Sequence, residues 1–560
     1  MSTEKRVFLA IFLSFGLLTV YQTFIAPAPP PAKPAAAAPT PGAEATASAP
    51  VAPALTAALA QAVTPDAAAR DIIVETSSVR AVFTTQGAVL KSWLLLKYPA
   101  AKEKPEDQTA PLELVPQDLP ANTIRPFTLT TDDAKLTATL ASAVYDVNID
   151  HLTLGADPGT LTFTLRTADG VTARKQFYFQ PDRQPYVVNA EFSVDQSGSP
   201  KPFTINFGPA VGPGHSADAR SITKAIHFLD GSVARLTAAN VAAQPRYQGA
   251  VKYAGVEDHY FLAAALPAAE RSEVDYVPLS VPVAGAPAGT TRSWVSFALR
   301  QNPGAAPGQT VATKFFIGPK DFDHLRAADV QLTRAIDFGW FAKVVVPLLQ
   351  ALKWINSFLG NYGFSIIVLT ILINILIFPL RHRSMVSMKK MQALQPQVKA
   401  IQDRYAKYKM ADPERQKMNT EMMALYKQKG VNPASGCIPM LLTFPILLAF
   451  YNLLNSAIEL RGAPFVWWIH DLSLRDPYYF WPILMGLTMF WQQKMTPSTA
   501  DPMQQKIFLL MPVIFTVMFL SMPAGLVIYW LASNILTIGQ QYLTNHLIST
   551  SNSSAAARKA

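Results

Sequence analysis

Few side chains in this 560-residue chain are placed for covalent chemistry. No G-x-x-x-x-G-K-S/T loop, H-E-x-x-H pair or G-x-S-x-G elbow occurs, so the common signatures of nucleotide hydrolysis, metalloproteolysis and serine hydrolysis are missing. The single cysteine, Cys437, excludes internal disulfides and a cysteine-ligated zinc site, and no cofactor is expected. What the chain does place with purpose is uncharged polar groups in or at the ends of its apolar runs: Thr370, Asn374, Thr443, Thr516, Ser521, Ser533, Asn534, Thr537, Gln540 and Gln541. Thr370 and Asn374 are four residues apart, so they share a helix face. Ser533, Thr537 and Gln540/Gln541 line one face of the final helix in the same way. In lipid such groups either bond helix to helix or wet a groove, and an amide in mid-run is costly if unpaired. No Asp, Glu, Lys, Arg or His lies within the five apolar runs of the C-terminal half. That argues against ion-coupled transport and against an intramembrane hydrolase.

The elements that must position these groups follow from composition. Only 15% of residues are charged and half are hydrophobic, a membrane-protein balance against the ~25% charged of soluble domains. After Lys5 and Arg6, Val7 to Ile25 is apolar and longer than a ~7–15-residue signal-peptide core, which favours a retained anchor (residues 1–25) with a cytoplasmic N-terminus over a cleaved signal. Residues 26–70 are Pro/Ala-rich and form a tether. Residues 71–328 read as an antiparallel β-sandwich. Tyr186, Val188, Ala190, Phe192 and Val194 alternate with polar residues, and Asp169-Gly170 turns Leu161, Phe163 and Leu165 into Val171, Ala173, Phe177 and Phe179. His215, His227, Asp258 and His259 within it read as loop and surface residues, with a sugar or metal site as the alternative.

Residues 329–360 change to a helical period, with Phe341, Val344, Val345, Leu348, Leu352, Ile355 and Phe358 as the stripe and Lys343, Gln350, Lys353 and Asn356 off it. This reads as an amphipathic helix in the membrane interface, the alternative being a helix packed on the β-domain. Residues 361–380 form the second span, ending at Pro379. Residues 381–435 carry twelve Lys/Arg against four Asp/Glu, most of the chain's net charge of +10. Met391, Leu394, Val398, Ile401, Tyr405 and Tyr408 make a heptad seam there, Pro396 is expected to kink the first helix, and Asp412-Pro413-Glu414 starts a second. Residues 436–548 hold spans three to six, three of them as short apolar runs of 14, 16 and 15 residues (Tyr478–Trp491, Ile507–Met522 and Ala524–Ile538). Such runs are undersized for a ~30 Å hydrocarbon core and predict local thinning. Residues 549–560 are a cytoplasmic tail. The fold class is therefore a polytopic α-helical membrane protein of six spans with a large all-β domain outside and a helical hairpin in the cytoplasm.

The stretches NYGFSIIVLTILINILIFPL, LQPQVKAIQDRY, EMMALYKQKGVNPASGCIPMLLTFPILLAFYNLL, APFVWWIHDLSLRDPYYFWPILMGLTMF and DPMQQKIFLLMPVIFTVMFL resemble, in order and spacing, the YidC/Oxa/Alb family of membrane protein insertases. The resemblance implies a bacterial inner-membrane protein with a periplasmic β-supersandwich, and insertion of client segments through a polar groove without nucleotide hydrolysis. It implies groove-lining positions at Thr370, Asn374, Thr443, Thr516, Tyr529, Trp530, Ser533 and Thr537, and a client-capturing hairpin through Lys389, Lys390, Met391, Lys399, Arg404, Met418 and Met422. A basic residue is usual in the family where this chain has Asn374. Implied partners are nascent membrane proteins, the lipid bilayer, the Sec translocon (SecYEG with SecDF) and, weakly, ribosome–nascent chain complexes, with the chain acting as a monomer or inside the translocon. The competing reading is an envelope protein whose β-domain binds glycan and whose spans only anchor it.

Overall fold

The structure, a computed structural model, describes residues 68–99, 110–117, 123–209, 211, 222–282, 291–303, 306, 308–408, 412–431, 438–495 and 502–557. The N-terminal anchor, the tether through residue 67, His215 and Cys437 lie outside the described residues.

Alternation builds the β-domain. Gly159–Arg166 pairs antiparallel with Val171–Phe179, with Leu161 opposite Phe177 and Leu165 opposite Ala173. Gly170 closes their turn at φ +74, a left-handed conformation that glycine adopts without steric cost. This hairpin belongs to a ten-stranded sheet that continues through Val187–Gln196, Val311–Pro319, Phe261–Pro267, Val251–Glu257 and Lys224–Leu229. Two five-stranded sheets complete the domain, one holding Asp71–Glu75, Val79–Thr84 and Val89–Pro99, the other Phe203–Phe207, Ser272–Pro282 and Thr291–Gln301. Phe127 lies between them, with Phe177 at 4.9 Å, Phe315 at 5.0 Å and Phe207 at 5.5 Å between ring centroids. Each such ring removed from water is worth roughly 1.5–3 kcal/mol. Lys175 occupies an inward position of the hairpin and is fully buried. Its Nζ donates to the carbonyls of Gly87 (2.6 Å), Ala88 (3.2 Å) and Phe127 (2.8 Å). Burial pushes its pKa down to about 7. Among the described residues three helices lie within or at the edge of the domain: α1 (Ala134–Ser142), α2 (Ala238–Ala243) and α3 (Phe322–Ala328).

The described residues after the β-domain are mainly helical: α4 (Ala342–Leu359), α5 (Tyr362–Ala393), α6 (Gln395–Arg404), α7 (Pro413–Gln428), α8 (Ile438–Ser456), α9 (Phe480–Met495), α10 (Pro502–Phe519) and α11 (Ala524–Ala557). α5 packs on α11, α11 on α9, and α9 on α10, while α4 packs on both α5 and α8. Among the described residues one helix, α5, is long and apolar enough to cross a membrane by length and composition.

Three local expectations change. α5 does not stop at Pro379 but runs through it for fourteen more residues, because a proline inside an apolar helix is tolerated where neighbouring helices re-satisfy the backbone. Pro396 does not kink a helix; α5 ends at Ala393 with Leu394 as its cap, and Pro396 stands in the first turn of α6, where its missing N–H costs nothing. On α4 the buried face is Val345, Leu349, Leu352 and Ile355, while Val344 and Phe358 point outward with Trp354. The start at Asp412 is as the sequence indicates: Asp412 accepts from the Glu414 N–H at 3.0 Å with Pro413 as the first helical residue.

Candidate functional site

The polar residues of α5 and α11 meet along one seam. Asn361 caps α5 by accepting from the N–H groups of Gly363 (2.9 Å) and Phe364 (3.2 Å). From there the polar face climbs the helix. Thr370 is fully buried and its hydroxyl donates to the Ile366 carbonyl (2.6 Å). The Asn374 amide donates to the Thr370 carbonyl (2.8 Å). Arg381, two turns on, donates from one nitrogen to Oδ1 of Asn374 (2.8 Å) and to the hydroxyl of Thr537 on α11 (3.0 Å). Thr537 in turn donates to the Ser533 carbonyl (2.7 Å). One turn farther, His382 bonds Thr544 through Nδ1 (3.1 Å), and Gln540 donates to the Phe378 carbonyl (3.4 Å). The opposite face of α5 is apolar and exposed at Leu372, Ile375 and Leu376.

The seam therefore holds a fixed positive charge that sequence reasoning missed. Local sequence places Arg381 in the basic segment beyond the span. Once the helix continues past Pro379, its spacing of seven from Asn374 puts it on the same face. The resulting centre is an amide and a guanidinium in contact, not an amide alone. α5, α8, α9, α10 and α11 contain no Asp or Glu, so none of these helices supplies a carboxylate to that charge.

Tyr529, Trp530 and Thr516 make ring or packing contacts with further helices. Tyr529 is buried and stacks on Phe450 of α8 with centroids 4.2 Å apart. Trp530 packs edge-on against Phe519 of α10 (4.9 Å). Thr516 donates to the Pro512 carbonyl (2.7 Å) and fills the space beside Gly486 of α9, where an added Cβ would lie 2.0 Å from its oxygen. It sits at the α9–α10 contact, away from the α5–α11 seam. The side chain of Thr443 lies outside the described residues. Asn534, one residue past Ser533, is buried and donates to the Met485 carbonyl (3.4 Å) and Thr488 (3.2 Å), joining α11 to α9.

In the β-domain, His227 is buried with its ring 4.5 Å from that of Tyr247 and 5.9 Å from that of Tyr276. Asp258 closes a turn by accepting from the N–H groups of Tyr260 (2.8 Å) and Phe261 (2.6 Å), and His259 donates to the Asn455 carbonyl of α8 (2.7 Å). These residues hold the fold and its junction with the helices, and His227 and Asp258 are core groups instead of the loop and surface residues expected. Burial pushes His227 from 6.5 down to about 4, so its neutral form is favoured in the folded domain. The stability this adds is complete above 6.5 and is lost as pH falls towards 4. Denaturant titration of the full chain in detergent should show wild type losing on the order of 3 kcal/mol more than His227→Phe across that window. Asp258 is raised to about 6 by burial and acts in the opposite direction in both proteins, so the comparison isolates His227. Parallel curves would show that His227 takes up its proton as readily in the fold as in the unfolded chain.

Comparison with known proteins now decides the family. Residues 354–551 match the family model described as 60Kd inner membrane protein, and residues 71–351 match that of the YidC periplasmic domain. A membrane protein insertase YidC from Geobacter metallireducens is 36% identical over 97% of this chain and 99% of its own length. The chain belongs to the YidC membrane protein insertase family. A second YidC, from Syntrophus aciditrophicus, is likewise 36% identical over 97% of the chain and 99% of its own length. An active YidC insertase crystal structure covers 88% of this chain and 95% of its own at 17% identity, with a TM-score of 0.34. YidC membership makes this an inner-membrane protein with a periplasmic β-domain, whose work is on membrane protein clients in the bilayer and not in a catalytic enzyme family.

The hairpin of this YidC family member turns its seam inward. Met391 and Leu394 are buried with Val431 against Tyr426, and Val398, Ile401 and Met418 are buried as well. Met422 receives the Gln402 amide at 4.0 Å, and Arg404 pairs with Glu421 across α6 and α7. Lys390 and Lys399 are exposed and Lys389 is half-buried. The hairpin offers solvent its charges and Met423, 56% exposed, while Met391 and Met418 hold it together.

Proposed function

We propose that this chain inserts client segments through the α5–α11 seam, with Arg381 as its fixed charge. The carrying observation is the guanidinium bonded to both Asn374 and Thr537 on helices that contain no acid. A polar or acidic stretch of client finds donors there, while the client's apolar segment partitions into lipid past the exposed face of α5. That partition supplies roughly 0.8 kcal/mol per CH₂, so no nucleotide is consumed. The residue 1–25 anchor and α5, α8, α9, α10 and α11 are the six spans, with both termini in the cytoplasm. The short apolar runs on α9, α10 and α11 thin the bilayer beside the seam. Exposed Lys390 and Lys399 and half-buried Lys389 on the hairpin, with Arg404, meet clients first. Thr370, Asn374, Ser533 and Thr537 line the seam, and the Tyr529, Trp530 and Thr516 contacts brace it. Cooperation with the Sec translocon and weak contact with ribosome–nascent chain complexes belong to the same reading.

A photo-crosslinker at Asn374 or Thr537 should capture a ribosome-stalled client segment in native membranes, while one at Thr516 should not. Equal crosslinking at all three positions would remove the seam from the client path.

A further inference from the structure

The periplasmic domain, α4 and the core meet at one ammonium. Lys353 on α4 bonds Asp321 (3.2 Å) and Asp323 at the start of α3, and forms an ion pair with Glu459 (3.3 Å) in the turn that follows α8. Asp321 also caps α3, accepting from the N–H groups of Asp323 (2.8 Å) and His324 (3.0 Å). The side chains of Asp321 and Glu459 are only 11% and 8% exposed. Burial and the neighbouring Asp321 hold the Glu459 carboxyl above its usual range, whereas Asp321, although also desolvated, is held below it by Lys353. Burial works against the charge on Lys353, but Asp323, Asp321 and Glu459 outweigh it and raise its pKa. Three carboxylates therefore converge on one cation, and two of them are nearly dry. Like charges in such a place separate when their counter-charge is removed. Further bonds cross the same junction: Arg461 to the Pro99 carbonyl (3.0 Å), Asn452 to that of Phe338 (3.4 Å) and Ser456 to that of Asp337 (3.3 Å). These involve neutral acceptors, so they hold position without sensing charge.

We infer that Lys353 is a positioning residue for insertion: its charge seats α4 against the core and ties the periplasmic domain to it, which fixes the wall on which α5 rests. α4 packs directly on α5 and α8, and its outer side carries exposed Trp354 and Phe358, aromatics suited to the lipid interface. A helix anchored in the interface on one side and clamped by a lysine on the other sets the depth of α5 and of the seam on it. The inference rests on the insertase reading.

The test uses the full chain with Cys437→Ser, in proteoliposomes, with spin labels at Ser357→Cys on α4 and Ser521→Cys at the α10–α11 turn. Client insertion is read by protease protection and label separation by pulsed dipolar spectroscopy. Lys353→Met is expected to slow insertion by roughly tenfold and to broaden the label separation. Lys353→Arg should keep both at wild-type values, and the exchange Lys353→Glu with Glu459→Lys should restore both. Wild-type insertion and separation in Lys353→Met would overturn the inference, as would equal loss in Lys353→Arg. If Lys353→Met does not fold, the charge exchange decides: recovery supports the inference and failure to recover overturns it. Absence of insertion by the wild-type protein, with the label shift still present, would instead strike the insertase reading alone.

Discussion

Arg381→Met is expected to slow insertion of clients whose translocated segment carries Asp or Glu by roughly tenfold to a hundredfold, with a loss of about twofold or less for clients whose translocated segment is uncharged. Methionine keeps most of the stem, so the change removes the charge and the bonds to Asn374 and Thr537 with little change of volume. It also leaves Asn374 and Thr537 without the donor they share. Both can turn to other partners along the seam, so folding should survive. In vitro synthesis of paired clients that differ only in one Asp-to-Asn change, followed by protease protection, separates the two effects. Equal losses for both clients would make Arg381 a brace between α5 and α11, not a reader of charge.

What the sequence made legible was whatever is decided by near neighbours. The Asp169-Gly170 hairpin, the Asp412-Pro413 helix start and the Met391-to-Ile401 seam depend on residues a few positions apart, and each is present. Proline at 379 followed by Arg381, His382 and Arg383 carried the local signal for a helix end, and there it misled. The bonds that keep α5 going are tertiary: Arg381 to Thr537 and His382 to Thr544 span 156 and 162 residues. Lys175 shows the same limit in the β-domain. Alternation gives it an inward place, but the carbonyls that make a buried ammonium tolerable come from turns 48 to 88 residues away. Lys353 looked like the solvent side of a stripe because its three acids lie in two other segments. The short runs on α9 to α11 are apolar stretches of longer helices: α9 spans 16 residues, α10 18 and α11 34, each longer than its run, because polar residues can continue a helix that an apolar run begins.

The contact between Asn374 and Arg381 also reverses an expectation about substitution. Taken as a lone amide in a family where a basic residue is usual, Asn374 should accept arginine. In the structure its Oδ1 is the acceptor for Arg381 at 2.8 Å. Asn374→Arg would replace that acceptor with a second cation on the same face. Two unit charges ~5 Å apart at an effective dielectric of ~20 repel by about 3 kcal/mol, enough to expel one side chain from the seam or separate α5 from α11. The single variant should therefore lose insertion by more than tenfold and show a lowered melting temperature in detergent. Pairing it with Arg381→Thr removes the clash and moves the charge two turns up the helix, within reach of Thr370. That double variant should recover most of the insertion rate, while Arg381→Thr alone should resemble Arg381→Met. Full activity of Asn374→Arg by itself would mean that the two side chains do not share the seam. Recovery in the double variant would mean that the seam needs one positive charge and accepts it at either of two positions on α5, because the helix face and its bonded partners, more than the residue number, define the site.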